Sequence, residues 1–210
     1  MRARTLLLVV PALGGLVLLG GCLKRTKISE TYVLDPVAAR DAAAPSQTPE
    51  AVVGVLKVAV PGWIDRPQVT ERTSTGQIRA NEFARWGEPV TKGVQRVVAE
   101  NLAALLPTRR IVIAPFSPNQ VVHYRVDIAF SEAGRQADGS VLVDARWALL
   151  GRSGATLVQR RSSHRAHPTA AGPGGAVTGV NEAIAELSRE IAGALQALPL
   201  PPAANETTDR

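Results

Sequence analysis

The stretch Val122-His123-Tyr124-Arg125-Val126-Asp127-Ile128-Ala129-Phe130-Ser131 reads with a period of two. Val122, Tyr124, Val126, Ile128 and Phe130 fall on one face, and His123, Arg125 and Asp127 on the other. Successive side chains of a strand point to opposite faces, so this segment predicts a strand with one dry side and one wet side. Ser140 to Leu150 repeats the pattern, with Val141, Val143, Ala145, Trp147 and Leu149 inward and Asp144 and Arg146 outward. The polar loop Gly134 to Gly139 joins the two, and a third strand, Ala155 to Ser163, follows the turn Gly151-Arg152-Ser153-Gly154. Three such strands in succession predict an antiparallel meander with one solvated face. Arg125, Asp127, Asp144 and Arg146 are expected to form ion pairs across it, directly or diagonally.

Working outward from the meander, Ala51 to Val60 is nearly continuous in β-branched residues and stops at Pro61-Gly62, as a strand covered on both faces would. Gln68 to Arg72 and Gln77 to Ala80 flank Thr73-Ser74-Thr75-Gly76, which predicts a hairpin. Pro89 to Leu106 is the first helix, with Pro89 at the first helical position and Glu88 at the positive end of the dipole. Val90, Val94, Val97, Val98, Asn101, Leu102 and Leu105 recur on one of its faces, and Arg96 and Glu100 lie on the other. Arg110 to Ala114 and Thr31 to Leu34 are short strands, and Val37 to Pro49 is a spacer rich in Ala, Pro, Ser and Asp. His164 to Val177 reads as a Gly- and Pro-rich connection to a last helix, capped by Thr178 or Asn181 and ending near Ala197. Its stripe is Val180, Ile184, Leu187, Ile191, Ala194 and Leu198. These elements predict an α/β chain of the α+β type, with a mixed or antiparallel β-sheet and two amphipathic helices on one face.

The chain has 210 residues, 24 Lys+Arg against 18 Asp+Glu, and a net charge of +6. A basic balance ordinarily raises nucleic acid as a partner, but the first residues set that aside. Arg2 and Arg4 precede the uncharged run Thr5 to Leu19, shorter than the roughly 20 residues of a spanning helix and broken by Pro11 and Gly14-Gly15. The run closes on Leu19-Gly20-Gly21-Cys22, and Cys22 is the only cysteine. An export signal has this anatomy, and its end resembles the lipobox of bacterial lipoproteins. That resemblance implies cleavage after Gly21 and a diacylglyceryl group on Cys22, with Leu23 in place of Asp implying sorting to the outer membrane. The mature chain keeps 22 basic against 18 acidic residues, a charge of +4. The expected divisions are a signal peptide over 1–21, a tether over 22–30, one domain over 31–198 and a disordered tail over 199–210. Lys24, Arg25 and Lys27 stand beside the anchor, where each is worth about 1 kcal/mol against anionic headgroups.

Residues of catalysis are sparse. Ser162, Ser163, His164 and Asp144 supply the types of a triad, but no Gly-x-Ser-x-Gly elbow presents a serine. His164-Arg165-Ala166-His167 has a ligand spacing, yet Arg160, Arg161 and Arg165 surround it with positive charge. Gly172-Pro173-Gly174-Gly175 precedes a helix but lacks the Gly-Lys-Ser/Thr of a phosphate loop, and reads as a flexible connection. No catalytic residue, metal ligand or cofactor is expected beyond the lipid on Cys22.

Two segments are denser in recognition-type residues than the rest. One contains Trp63, Asp65, Arg66, Pro67 and Gln68, and the other Glu82, Phe83, Arg85, Trp86, Glu88 and Pro89. Structurally, the tryptophans would cover a sheet edge while Asp65–Arg66 and Glu82–Arg85 close local turns. Functionally, Trp and Arg are favoured anchors of a partner surface.

With Tyr32-Val33-Leu34-Asp35-Pro36, Val60-Pro61, Ala99-Glu100-Asn101-Leu102, Tyr124-Arg125-Val126 and Trp147, these segments resemble the PqiC family of bacterial lipoproteins, also described as ABC-type transport auxiliary lipoprotein components. The resemblance runs from Thr31 to Leu198, with Trp63-Ile64, Gly87 and Val90 as mild departures. It implies a non-enzymatic subunit on the periplasmic face of the outer membrane. Its partners would be an MCE-domain protein, an inner-membrane transport component and membrane lipid, and the resemblance also admits a homo-oligomer. The competing expectation is a periplasmic adaptor like the amino-terminal domain of TolB, or an activator of cell-wall synthases.

Overall fold

A computed structural model describes residues 27–39 and 51–201. The expected signal peptide, Cys22, Lys24 and Arg25, most of the spacer and the tail from residue 202 lie outside the described residues. In chain order the elements are β1 (Glu30–Tyr32), a 3₁₀ turn (Val37–Ala39), β2 (Ala51–Val55), β3 (Gln68–Arg72), β4 (Ile78–Trp86), α1 (Val90–Leu105), β5 (Arg109–Ile113), β6 (Tyr124–Arg135), β7 (Val141–Leu150), β8 (Thr156–Ala166) and α2 (Gly172–Gln196).

The expected meander is present and organises the sheet. β7 runs antiparallel to β6 and to β8. The inward residues Val126, Ile128, Val143, Ala145, Trp147 and Leu149 are all 1% exposed or less. The other flank of β6 is divided. Its start pairs in parallel with β2, which pairs in parallel with β5. Its end meets β3 at Glu71–Arg135, β3 pairs antiparallel with β4, and β4 in parallel with β1. The sheet is therefore mixed, with eight strands and two helices, an α+β fold.

Both helices bury their expected stripes against one face of this sheet, and they also touch each other. Val97, Leu102, Ile184, Leu187 and Ile191 are fully buried in a single core with the inward strand residues. Gln95, also buried, donates to the carbonyls of Val55 (3.2 Å), Leu56 (3.0 Å) and Ala114 (3.3 Å). Its amide thus ties α1 to the backbone where β2 and β5 end.

Several expectations need correction. The ion pairs foreseen among Arg125, Asp127, Asp144 and Arg146 do not form. The register sets Arg125 opposite Leu150, Asp127 opposite Ala148 and Ala129 opposite Arg146, and a shift between Phe130 and Glu132 then sets Asp144 opposite Glu132. Asp144 instead binds Arg161 of β8 at 2.6 Å, and that contact holds its carboxyl below the usual range. β4 continues to Trp86 rather than stopping at Ala80, because β1 adds a second partner along its far half. α1 begins at Val90, with Pro89 as its N-cap. Finally, β8 runs to Ala166, and Gly172-Pro173-Gly174-Gly175 is the first turn of α2, not a flexible connection. A Cβ at Gly175 would sit 1.9 Å from the carbonyl oxygen of Ala170, so this turn closes only with glycine there. Asn181, buried along α2, is not a cap; its Oδ1 accepts the backbone N–H of Asp35.

Candidate functional site

The two motif segments meet at one end of the β3–β4 hairpin. Trp63 lies in a turn after Pro61, whose carbonyl accepts the N–H groups of Ile64 (2.9 Å) and Asp65 (3.1 Å). The chain then enters β3, where Gln68 pairs with Arg85 and the Pro67 carbonyl accepts the Trp86 N–H at 2.8 Å. The hairpin register breaks here, Gln68 opposing Arg85 while Thr70 opposes Ala80. Val69 alone therefore faces the four residues Asn81 to Ala84. A bulge of this kind re-aims side chains. Ala84 turns inward at 1% exposure, whereas Phe83 turns outward at 43%. Asn81 Oδ1 steadies the bulge by accepting the Phe83 N–H at 2.9 Å.

Behind Phe83, between this bulge and the first turn of α2, lies a groove of about 380 Å³. Val69, Phe83, Pro173 and Ala176 supply apolar walls, and Glu71, Arg79, Glu82 and Arg135 the charged ones. A narrow recess continues from Val69 and Ala176 to Ile64, Trp86 and Val180. The cations are held in place. Arg135 donates to the carbonyl of Gly172 at 3.2 Å, and Arg79 stands 3.5 Å from Glu71. Next to the groove, Arg72 bridges to Glu132 at 2.8 Å and lies 4.9 Å over the Trp63 ring. Tyr32 packs on the core near Gly174, and its hydroxyl donates to Glu30. That hydrogen bond raises the phenol above its ordinary value.

The structure thus brings Trp63, Gln68, Phe83, Arg85 and Trp86 into one neighbourhood, with Glu82 on the groove wall. Asp65, Arg66 and Pro67 are exposed on the turn. Among the described residues neither Asp65–Arg66 nor Glu82–Arg85 forms an ion pair; backbone hydrogen bonds close the turn at Asp65–Arg66, and Glu82–Arg85 lies within β4. Glu88 and Pro89 belong to the α1 entry. Glu88 accepts from Arg96 at 2.7 Å and holds the Arg96 guanidinium above its ordinary value. Arg72, Arg135, Pro173 and Ala176 were not legible as members of the site, because they join it only through non-local pairing.

The arrangement sets apolar walls beside mixed charge. The Ser162 hydroxyl accepts the Trp147 indole N–H at 2.9 Å. His164 faces Glu190 of α2 at 3.3 Å and not a serine. Among the described residues no three His, Cys, Asp or Glu side chains gather as a metal site would require.

Solved structures share the fold. A crystal structure of an uncharacterised protein superposes with a TM-score of 0.66 at 19% identity, covering 80% of this chain and 99% of its own. A Xanthomonas campestris protein of the DUF330 family gives 0.63 at 14% identity, over 79% of this chain and 94% of its own. A PelC dodecamer from Paraburkholderia phytofirmans gives 0.45 at 16% identity, over 75% and 96%. At such identities the first two speak for the fold alone. No curated protein matches this chain. The family described as ABC-type transport auxiliary lipoprotein component matches residues 32–192, most of the sequence and nearly every described element. The chain belongs to that family.

Proposed function

We propose that the chain is the lipid-anchored, non-enzymatic auxiliary subunit of an intermembrane lipid-transport system of the MCE type, either PqiABC-like or driven by an ABC transporter. In this reading Cys22 carries the lipid and holds the domain on the periplasmic face of the outer membrane. The domain docks the far end of an MCE-domain conduit, and an inner-membrane component completes the path. The observation that carries the reading is the family match across residues 32–192, which makes the chain an auxiliary component of transport.

The geometry supports it on physical grounds. An acyl chain crossing water exposes apolar surface at a cost of about 25 cal/mol per Å². A subunit that offers apolar walls where cargo leaves or enters a conduit lowers that cost without chemistry. The groove behind Phe83 has such walls, and the exposed turn Asp65-Arg66-Pro67 beside it offers polar contacts to a partner.

The test is photo-crosslinking in cells from residue 66 and from residue 82, with residue 157 as a control on the opposite sheet edge. An MCE-domain protein captured from 66 or 82 and not from 157 is the expected result. Capture of cell-wall synthases in its place would overturn the reading in favour of an envelope adaptor.

A further inference from the structure

We propose that the β1–β4 edge is the face of the domain that rests on the bilayer, with Ile28 and Phe83 set into the headgroup region. The proposal rests on the acylation of Cys22 given above. Five residue steps separate Cys22 from Lys27, and an extended chain spans at most 3.3–3.6 Å per residue, so Lys27 stays within about 18 Å of the anchor. The domain therefore cannot present an arbitrary face to the membrane. The part nearest the anchor is the start of β1, whose ladder partner among the described residues is β4 alone.

What lies there is apolar and exposed. Ile28 is 87% exposed and stands two residues before the Glu30–Ala84 pair. Phe83, on the neighbouring strand, is 43% exposed through the bulge described above. Lys27 lies 5.6 Å over the Phe83 ring, so the end of the tether is in contact with this patch. Single exposed apolar side chains are ordinary on protein surfaces. Two on the same sheet edge, at the foot of a short tether carrying Lys24, Arg25 and Lys27, have the make-up of a membrane-interface element: apolar side chains at the acyl boundary and cations at the phosphates. Glu30 and Glu82 share this edge, and Glu30 is engaged by the Tyr32 hydroxyl. The partner surface is accordingly a phospholipid leaflet containing anionic lipid. Seated in this way, the groove behind Phe83 opens at headgroup level rather than toward the open periplasm.

The full, acylated chain tests this in vesicles of phosphatidylethanolamine and phosphatidylglycerol. Because Cys22 is the only cysteine and its sulfur is consumed by the lipid, Ile28→Cys, Phe83→Cys and Leu157→Cys each supply one thiol for a polarity-sensitive dye. Ile28 is so exposed that its replacement leaves the fold alone, and Leu157 reports the opposite sheet edge. The expected result is a blue-shifted dye at 28 and 83, quenched several-fold by nitroxide-headgroup lipid, with the dye at 157 unchanged. Protein that floats with the vesicles while 28 and 83 behave like 157 overturns the seating and leaves the anchor standing. Protein that does not float overturns the acylation itself and the seating with it.

Discussion

Asn101 lies in the apolar stripe of α1 with no exposed surface, and both halves of its amide are in use. Its Oδ1 accepts the Ala38 N–H at 3.1 Å, and its Nδ2 donates to the Ser188 hydroxyl of α2 at 3.3 Å. Asn181 on α2 does the same for Asp35. Two asparagines thus fasten the segment after β1 across both helices by accepting its backbone N–H groups. Asn101→Leu keeps the volume and strands the Ala38 N–H; a loss of about 1–3 kcal/mol is expected in denaturant unfolding. His123 is a second such joint. Its Nδ1 accepts the Val52 N–H at 2.9 Å, and its backbone N–H donates to the Val52 carbonyl at 2.9 Å. Burial first, and then the charge of Arg152, hold the imidazole below its ordinary value. The unfolded chain takes up this proton as pH falls below about 6.5. Stability present above that pH is therefore lost as pH falls through the folded value. Thermal melts from pH 7 to pH 5 should show that decline, and His123→Asn, which keeps an acceptor but does not titrate, should flatten it.

At the scale of elements, α2 carries glycines with opposite meanings. A Cβ at Gly179 would lie 2.7 Å from Val141 Cγ2 and 2.8 Å from its Cβ, both in the core of β7, whereas at Gly193 it would meet nothing within 4 Å. In a helix interior Gly→Ala ordinarily gains up to about 1 kcal/mol. Gly193→Ala should show that gain in melting temperature. Gly179→Ala should reverse it, with overpacking costing about 1–3 kcal/mol. The same contrast explains what could be read in advance. β6 and β7 were legible because alternation is written into each strand separately, and the stripes of both helices because they recur at helical spacing. The first turn of α2 was not, since Gly172-Pro173-Gly174-Gly175 has the local character of a loop and becomes helical by fitting against Ala170 and Tyr32. The site followed the same division. Trp63, Phe83 and Trp86 stood out by residue type, but the bulge that exposes Phe83 depends on pairing between β3, β4 and β1, which no local pattern records.

At the scale of the whole molecule, the sheet is not a simple ribbon. One flank of β6 is taken up first by β2 and then, at its far end, by β3. The strands β3, β4 and β1 form an arm of their own, and the groove lies where that arm faces α2. The arm joins β6 through the Glu71–Arg135 rung, reinforced by Arg72–Glu132 at 2.8 Å. Against this, β7 is laddered along its whole length on both sides. A structure joined in this way does not open all at once. Deuterium should enter the amides of residues 68–86 well before those of 141–150, and uniform protection of both would show the arm to be as firmly fixed as the meander. With a single ladder pair tying it to the long strands, the arm is where the sheet is expected to yield first, so a guest of the proposed kind would meet least resistance there.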